Sequence, residues 1–308
     1  MKPGSVHFVG ALLALLVSWS GTGVARAAEA YSSTPLAEHL FRVAGPRGNT
    51  LVAVDADGLI LIDGVPAAEA AGYWDFVQDL TGESRVKALV VSHWHAEVNG
   101  LNALAVAAGA ELIAHDNTRQ WLSATIRRRG DTILHRPVPV DELPNRVFHE
   151  TLSLPFRDGS IELGWLLHAH TDGDLYARFP GQDVLYTGPA VRTDAWSTVD
   201  EATNGFVGGL TDAYDKLALQ ITGETRIVPF SGPLIDQAAF VEQAALYKKL
   251  MQEMVALLRQ SRSADEVVAA NPAIGLKPEW GDASAFLDEG FRSFYGHLRE
   301  TRHVGIMP

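Results

Sequence analysis

The chain contains no cysteine. Disulfides mainly stabilise small secreted domains that cannot build a sufficient core, and a chain of 308 residues is long enough to do without them. The absence also removes thiolates from the available metal ligands. Any metal in this protein must therefore be bound by histidine, aspartate or glutamate.

Basic charge is also scarce, because 25 Lys and Arg residues stand against 37 Asp and Glu residues, for a net charge of −12. This balance argues against nucleic acid and against anionic membrane surfaces as partners. The sequence also lacks the G-x-S-x-G motif of serine hydrolases and the Walker A phosphate loop. We expect a small molecule as the substrate or ligand, and the sequence does not fix the oligomeric state.

A long apolar run occurs only near the N-terminus. Lys2 precedes an apolar segment at residues 8–19, and Ala25-Arg26-Ala27 fits a small-x-small cleavage site. This pattern predicts a secretory signal peptide at residues 1–27 and a secreted, periplasmic protein. The alternative is an uncleaved anchor, although the apolar segment is short for a membrane span. The remaining residues, 28–308, are expected to form a single domain whose last part, from about residue 234, is a helical extension.

The order of predicted elements indicates two packed sheets with helices outside them. Apolar runs predict strands early in the chain, with a hairpin turn at residues 55–58, and again between residues 152 and 188. Segments with apolar residues at helical spacing follow each group of strands. Because pairs of strands come before the helices, a doubly wound parallel sheet fits this order less well. The predicted helices cover residues 66–80, 99–108, 116–129, 206–221, 234–259 and 283–299, and Ser263 with Glu266 predicts a capping box.

Two histidine pairs follow apolar strand-like runs. His93 and His95 follow one run, and His168 and His170 end another. Side chains two residues apart in an extended segment point the same way, so each pair could converge on one ion. Two polar loop residues are the alternative for either pair. The presence of two such pairs favours a metal site where strand ends meet.

These motifs resemble those of the metallo-β-lactamase superfamily. The family signature H-x-H-x-D-H is similar to residues 93–98, and "HTDGD" at residues 170–174 resembles its next metal-binding segment. The resemblance implies an αβ/βα sandwich of two mixed sheets. It also implies that His93, His95 and His170 bind zinc, and that Asp63, in "LIDG", holds the first motif by hydrogen bonds.

The sequence departs from the family pattern at the second metal. Aspartate and histidine of the signature are replaced by Glu97 and Val98, and Pro189 takes the place of the bridging aspartate. The last family histidine falls on Ser231 or Phe230. Valine and proline side chains cannot ligate, so the resemblance implies one zinc ion at most, without the two-metal clamp.

Several polar residues near these motifs have more than one interpretation. Glu97 could act as a general base, orient a histidine, or be a surface carboxylate. His168 could be a substitute ligand or substrate contact, or a structural histidine. His115 could reach the rim of the site or support a loop. Asp174 could lie beside the site, although its spacing suits turn stabilisation.

Three imidazoles and a water can form a tetrahedral zinc site with an open position. Such a site can lower the pKa of the bound water to about 7, so that hydroxide attacks a substrate. The resemblance therefore implies hydrolysis of an ester, thioester or amide-like bond. The alternative is a pseudoenzyme that keeps the fold for binding a ligand or partner. Metal storage or delivery is a third possibility.

Overall fold

The computed structural model describes residue 1, residues 30–127 and residues 134–304, with side chains described up to residue 297. Apart from Met1, the predicted signal peptide lies outside the described residues. Among the described residues, no helix is both long enough and apolar enough to span a membrane.

The first sheet has seven strands arranged in chain order. Its first four strands are antiparallel hairpin neighbours, with a turn at residues 56–57 as predicted, and β4 to β7 run parallel. The strands are β1 (Ser32–Ala37), β2 (Leu40–Gly45), β3 (Gly48–Asp55), β4 (Gly58–Ile62), β5 (Val86–Val91), β6 (Glu111–His115) and β7 (Arg146–Phe148).

The second sheet has five strands in the order β12-β11-β10-β9-β8. Its strands are antiparallel except for the parallel pair β11 and β12. The strands are β8 (Thr151–Phe156), β9 (Gly159–Trp165), β10 (Leu175–Phe179), β11 (Val184–Tyr186) and β12 (Arg226–Val228).

Helices flank both sheets and form the C-terminal part of the chain. The helix α7 begins with the predicted capping box, since the Ser263 side chain and Glu266 satisfy each other's backbone N–H groups. The α-helices of the described residues are α1 (Ala70–Thr81), α2 (Ala96–Asn99), α3 (Asn102–Ala107), α4 (Asp116–Leu122), α5 (Val207–Ala218), α6 (Gln237–Arg259), α7 (Ala264–Ala270) and α8 (Ser284–Val304).

Two large apolar clusters hold these layers together. The first lies between the sheets, where Leu51 and Leu89 belong to the same cluster as Leu163 from the second sheet. The second packs α5, α6, α7 and α8 against the second sheet, with Leu185 and Ile227 from that sheet. The predicted two-sheet sandwich with outer helices and a helical C-terminal region is therefore confirmed.

Some predicted elements have different limits. The helix expected at residues 99–108 is divided in two, because the Gly100 N–H donates to the Val65 carbonyl instead of continuing a helix. The helix expected at residues 116–129 ends at Leu122, and Ile126 pairs with His135 in an isolated β-bridge. Strands β1 and β7 were not predicted, since the six residues of β1 are mostly polar or exposed and include a proline, and β7 has only three residues.

The second histidine pair does not lie on a strand, contrary to the prediction. Strand β9 ends at Trp165, and the Leu166 N–H then donates to the Asp174 carbonyl, which closes a loop. Within this loop His168 has a left-handed backbone, with φ of 51°. His168 and His170 therefore do not share one face, because the backbone between them is not extended.

Candidate metal centre

A buried carboxylate fixes the start of the first histidine motif. Asp63 follows β4 and is completely buried. It accepts hydrogen bonds from the Ser92 N–H, the Ser92 hydroxyl and the Tyr186 hydroxyl, each at 2.6 Å. Burial raises the pKa of Asp63 against the opposing effects of His93 and these donors. The carboxylate thus joins the ends of β4 and β5 to a strand of the second sheet.

A second buried carboxylate shapes the loop that carries His170. Asp174 accepts hydrogen bonds from the N–H of His170 at 2.6 Å, from the N–H of Thr171 at 2.9 Å and from the Thr171 hydroxyl at 2.6 Å. Burial, opposed by His93 and these donors, raises the pKa of Asp174 to about 7. The role of Asp174 in the structure is to hold the turn that presents His170.

Three buried imidazoles meet between the two sheets. The ring centroids of His93, His95 and His170 lie 4.7–5.1 Å apart. One ring nitrogen from each residue lies within 4.8 Å of the other two. His93 and His95 come from the end of β5, and His170 comes from the loop after β9. The two sheets therefore contribute to a single group of potential metal ligands.

Hydrogen bonds assign the proton of each ring to the nitrogen that points away from the centre. The His170 Nδ1 lies 2.9 Å from the Thr198 carbonyl, which can only accept, so this nitrogen donates. The His95 Nε2 donates to Asp200 Oδ2 at 2.9 Å. The His93 Nδ1 lies 3.0 Å from the Ser92 hydroxyl, whose own proton goes to Asp63. In the neutral form of each ring, the remaining nitrogen carries a lone pair.

These lone pairs point into one buried space. The His95 Nδ1 and the His170 Nε2 are 2.8 Å apart, and the His93 Nε2 is buried without a hydrogen-bond partner. Burial and the neighbouring imidazoles lower the pKa of His95 and His170, so protonation of both rings is unfavourable, whereas Glu97, Asp174 and Asp63 outweigh burial and raise the pKa of His93. A divalent cation fits this donor set, and three neutral imidazoles suit zinc as well as copper, nickel or iron.

Glu97 faces the same space from α2. Its Oε1 lies 3.5 Å from the His93 Nε2 and 3.8 Å from the His95 Nδ1. Burial alone would raise the pKa of Glu97, but the adjacent histidines lower it below the usual value for glutamate. The side chain is 34% exposed, whereas the three imidazoles are almost fully covered. The carboxylate is therefore ionised and lies between the histidines and solvent.

The residues at the positions of the family's second-metal ligands make other contacts in this structure. Val98 packs into the core between the sheets, and Pro189 is buried in a 3-10 turn at residues 188–190. The Ser231 hydroxyl donates to Asp194 at 2.6 Å and accepts from the Arg192 Nε at 3.1 Å. Phe230 packs its ring 5.5 Å from that of His93. None of these four residues, at 98, 189, 230 and 231, presents an available ligand atom to a second ion.

Two other candidate histidines lie outside the three-histidine group. The His168 Nδ1 lies 2.9 Å from the Asn204 carbonyl, and its ring is near that of His297. His115 ends β6 and belongs to a separate group with Asp116 and His149. The structure therefore gives His168 a supporting contact in a loop and does not bring His115 to the three imidazoles.

The sequence did not indicate the residues that hold the outer face of the site. Asp200 accepts from His95 and from the Thr203 hydroxyl at 3.0 Å, and Thr203 accepts from the Trp94 indole at 3.0 Å. Asp200 and Thr203, together with Thr198, lie in a segment after β11 that forms only a short 3-10 turn at residues 201–203 and shows no α-helical or strand periodicity. Only its polar composition, with two adjacent acids at positions 200 and 201, could have been a signal.

Comparisons with known proteins identify the fold. The sequence model of the metallo-beta-lactamase superfamily matches residues 44–232. Among solved structures, a metallo-beta-lactamase from Pontibacter korlensis is similar with a TM-score of 0.58 and 15% identity, over 71% of this chain and 99% of that chain. The DIM-1 metallo-beta-lactamase and TMB-1 are each similar with a TM-score of 0.56 and 15% identity, over 71% of this chain and 98% of theirs. No curated protein matches the chain.

The chain therefore belongs to the metallo-beta-lactamase superfamily, whose members bind metal ions, typically zinc. The family fold and the three-histidine group together support a metallo-hydrolase kind of function. The identity to the solved structures is low, so these structures show the fold alone.

The Asp200 carboxylate provides a test of the metal centre. We expect Asp200→Ala to weaken zinc binding about 10–100-fold, because the variant no longer fixes the His95 ring and its tautomer. Asp200→Asn should weaken zinc binding less than Asp200→Ala, since its one amide oxygen can still accept from the His95 Nε2, while its NH2 group takes the place of the oxygen that accepts from the Ala202 N–H. Competition with a chromogenic chelator measures both affinities. Equal affinities for the alanine variant and the unmodified protein would contradict this role.

Proposed function

We propose that this protein is a secreted, periplasmic hydrolase that uses one divalent ion, zinc by preference, to cleave an ester, thioester or amide-like bond in a small molecule. The observation that carries the proposal is the convergence of three ring nitrogens, while an acceptor behind each ring binds its other nitrogen. Such a site leaves coordination positions for water and substrate. The N-terminal sequence supports secretion, and the single domain from residue 28 onward is part of the same proposal.

The bound ion would supply Lewis acidity and a water of lowered pKa. His93, His95 and His170 would hold the ion through Nε2, Nδ1 and Nε2, the nitrogens without a donated proton. Glu97 is the candidate general base, because its ionised carboxylate lies near these nitrogens and is partly open to solvent. Oε1 could accept the proton that the attacking water loses and return it to the leaving group.

An arginine-rich cleft beside the centre favours an anionic substrate. The cleft has a volume of about 300 Å³ and is lined by Arg42, Arg47 and Arg192. One acid, Asp194, lines it as well, so positive charge predominates among its ionisable residues. The Arg192 guanidinium lies 5.2 Å from the centre of the Phe230 ring, which in turn contacts His93. A carboxylate or similar anion on the substrate could bind here while the scissile bond faces the metal.

A pseudoenzyme that binds a ligand without turnover is the second candidate. The observation that favours it is the loss of both second-metal histidines and of the bridging aspartate, with Val98 packed in the core and the Ser231 hydroxyl engaged by Asp194. The two candidates predict the same metal and ligand binding. They differ only in turnover.

The first experiment compares two histidines of the sequence motifs. We expect one tightly bound zinc ion per chain and turnover of a panel of esters, thioesters and lactams. His95→Ala should lose both, whereas His168→Asn should keep both, because His168 lies outside the three-histidine group and asparagine tolerates its left-handed backbone. Elemental analysis after gel filtration measures the metal. Tight zinc without any turnover would favour the pseudoenzyme, and turnover in the His95→Ala protein would refute the proposed site.

The second experiment tests whether Glu97 acts as the general base without being needed for zinc binding. Glu97→Gln should lower kcat by about 10²–10⁴-fold, since the amide cannot accept the proton. The variant should still bind zinc, because its three imidazoles are intact. The kcat of Glu97→Asp should lie between those of Glu97→Gln and the unmodified protein, because the shorter side chain withdraws the carboxylate from the centre. An unchanged kcat for Glu97→Gln would assign Glu97 no part in proton transfer.

The third experiment tests substrate charge. Arg192→Met should raise KM for carboxylate-bearing substrates while leaving kcat and zinc content nearly unchanged, because the guanidinium is a contact of the cleft and does not belong to the metal centre. Neutral analogues of the same substrates serve as the control and should show little change in KM. Equal losses for charged and neutral substrates would show that Arg192 acts through structure alone.

A further inference from the structure

A second group of potential ligands lies where the chain leaves the first sheet. His115 ends β6, Asp116 begins α4, and His149 lies in the turn between β7 and β8. One ligand atom from each residue lies within 4.8 Å of the other two. His115 is buried, Asp116 is partly exposed and His149 is exposed, so the group opens to solvent on one side.

The buried member of this group has a defined tautomer. The His115 Nε2 lies 2.7 Å from the His149 carbonyl, which can only accept, so Nε2 carries the proton. The neutral ring then has a lone pair on Nδ1, which lies 3.1 Å from Asp116 Oδ1. Both atoms accept from the same Asn117 N–H, at 3.2 Å and 2.9 Å. The His115 Nδ1 and the Asp116 Oδ1 are therefore neighbouring acceptors, and the one Asn117 N–H that they share only partly offsets their repulsion.

The ring of His115 is held in place before any ion binds. It stacks on the Trp165 indole at 4.7 Å with an interplanar angle of 14°. The His149 ring lies 5.7 Å from the His115 ring at an interplanar angle of 28° and 5.4 Å from the Trp165 ring, and its Nδ1 is 3.2 Å from Asp116 Oδ2. The Asp116 carboxylate is thus placed between two imidazole nitrogens, with one oxygen near each.

We propose that His115, Asp116 and His149 form a second metal site, distinct from the three-histidine centre, for a divalent transition metal of the zinc type. Two imidazoles and one carboxylate are ligands that zinc accepts, whereas calcium and magnesium prefer oxygen ligands only. The ion would bind the His115 Nδ1, the Asp116 carboxylate and a ring nitrogen of His149, and solvent would complete its coordination. The chain already holds one of these three ligands rigidly, and the exposed His149 closes the site.

The expected consequence is a link between the end of β6 and the turn that leads from the first sheet to the second. His115 and Asp116 lie at the end of β6, and His149 directly follows β7, the strand that pairs with β6. An ion that binds only the folded arrangement stabilises it by mass action. Zinc added beyond the first equivalent should therefore raise the melting temperature of the intact protein.

Equilibrium dialysis of the full chain against increasing zinc tests the proposal. We expect two ions per chain, the second weaker than the first. His149→Ala and Asp116→Asn should weaken the second ion at least about tenfold while retaining the first. Both changes are at exposed or partly exposed positions, so both variants should fold. The rise in melting temperature beyond one equivalent should disappear in each.

Two matched controls separate a built site from adventitious binding. Glu150→Gln removes an exposed acid next to His149, and His39→Asn removes another partly exposed histidine at a position where asparagine tolerates the φ of 63°. Both controls should bind two ions like the unmodified protein. The proposal fails if the unmodified chain binds one ion only, or if the second ion binds the His149→Ala protein as well as it binds the controls. Turnover is not measured, so this result is independent of the hydrolase proposal.

Discussion

The close approach of two unprotonated ring nitrogens, 2.8 Å apart in a buried space, is the constraint on which the site depends. Without a cation between them, their lone pairs repel each other, and burial opposes protonation of both rings. The repulsion persists because Asp200 holds the His95 ring and the Thr198 carbonyl holds the His170 ring, so the two rings stay close together. Since these rings come from different sheets, an ion bound here also joins the sheets, and its binding energy contributes to folding.

The surrounding charges also indicate a cation. Asp63, Asp174, Asp200 and Glu97 place four carboxyl groups around three imidazoles. For Asp63 and Asp174, burial raises the pKa, so ionisation of these groups is costly in the absence of additional positive charge. A divalent ion in the centre would offset that cost. On the far side, where the family places its second ion, the chain instead has the Arg192 guanidinium beside Ser231.

The sequence predicted the elements that depend on local pattern. Apolar runs identified most strands, and the H-x-H motif with "HTDGD" identified the three histidines that the structure brings together. The loop around His168 was misread as strand, since the apolar run continues past the point where the Leu166 N–H turns to Asp174. Asp200 and Thr198 could not be found because their roles depend on tertiary contacts. Asp200 contacts His95, which lies 105 residues earlier in the chain, and Thr198 contacts His170, which lies 28 residues earlier.

The replacements at the second metal position are coupled through packing. Val98 contributes to the core between the sheets, so a histidine there would have to bury a polar ring in an apolar cluster. Pro189 offers no ligand atom, and the Ser231 hydroxyl already contacts Asp194 and Arg192. Glutamate at position 97 has one methylene more than the family's aspartate, and its carboxylate faces His93 and His95. The extra length therefore suits a carboxylate that serves the first ion, and no single substitution would recreate the second.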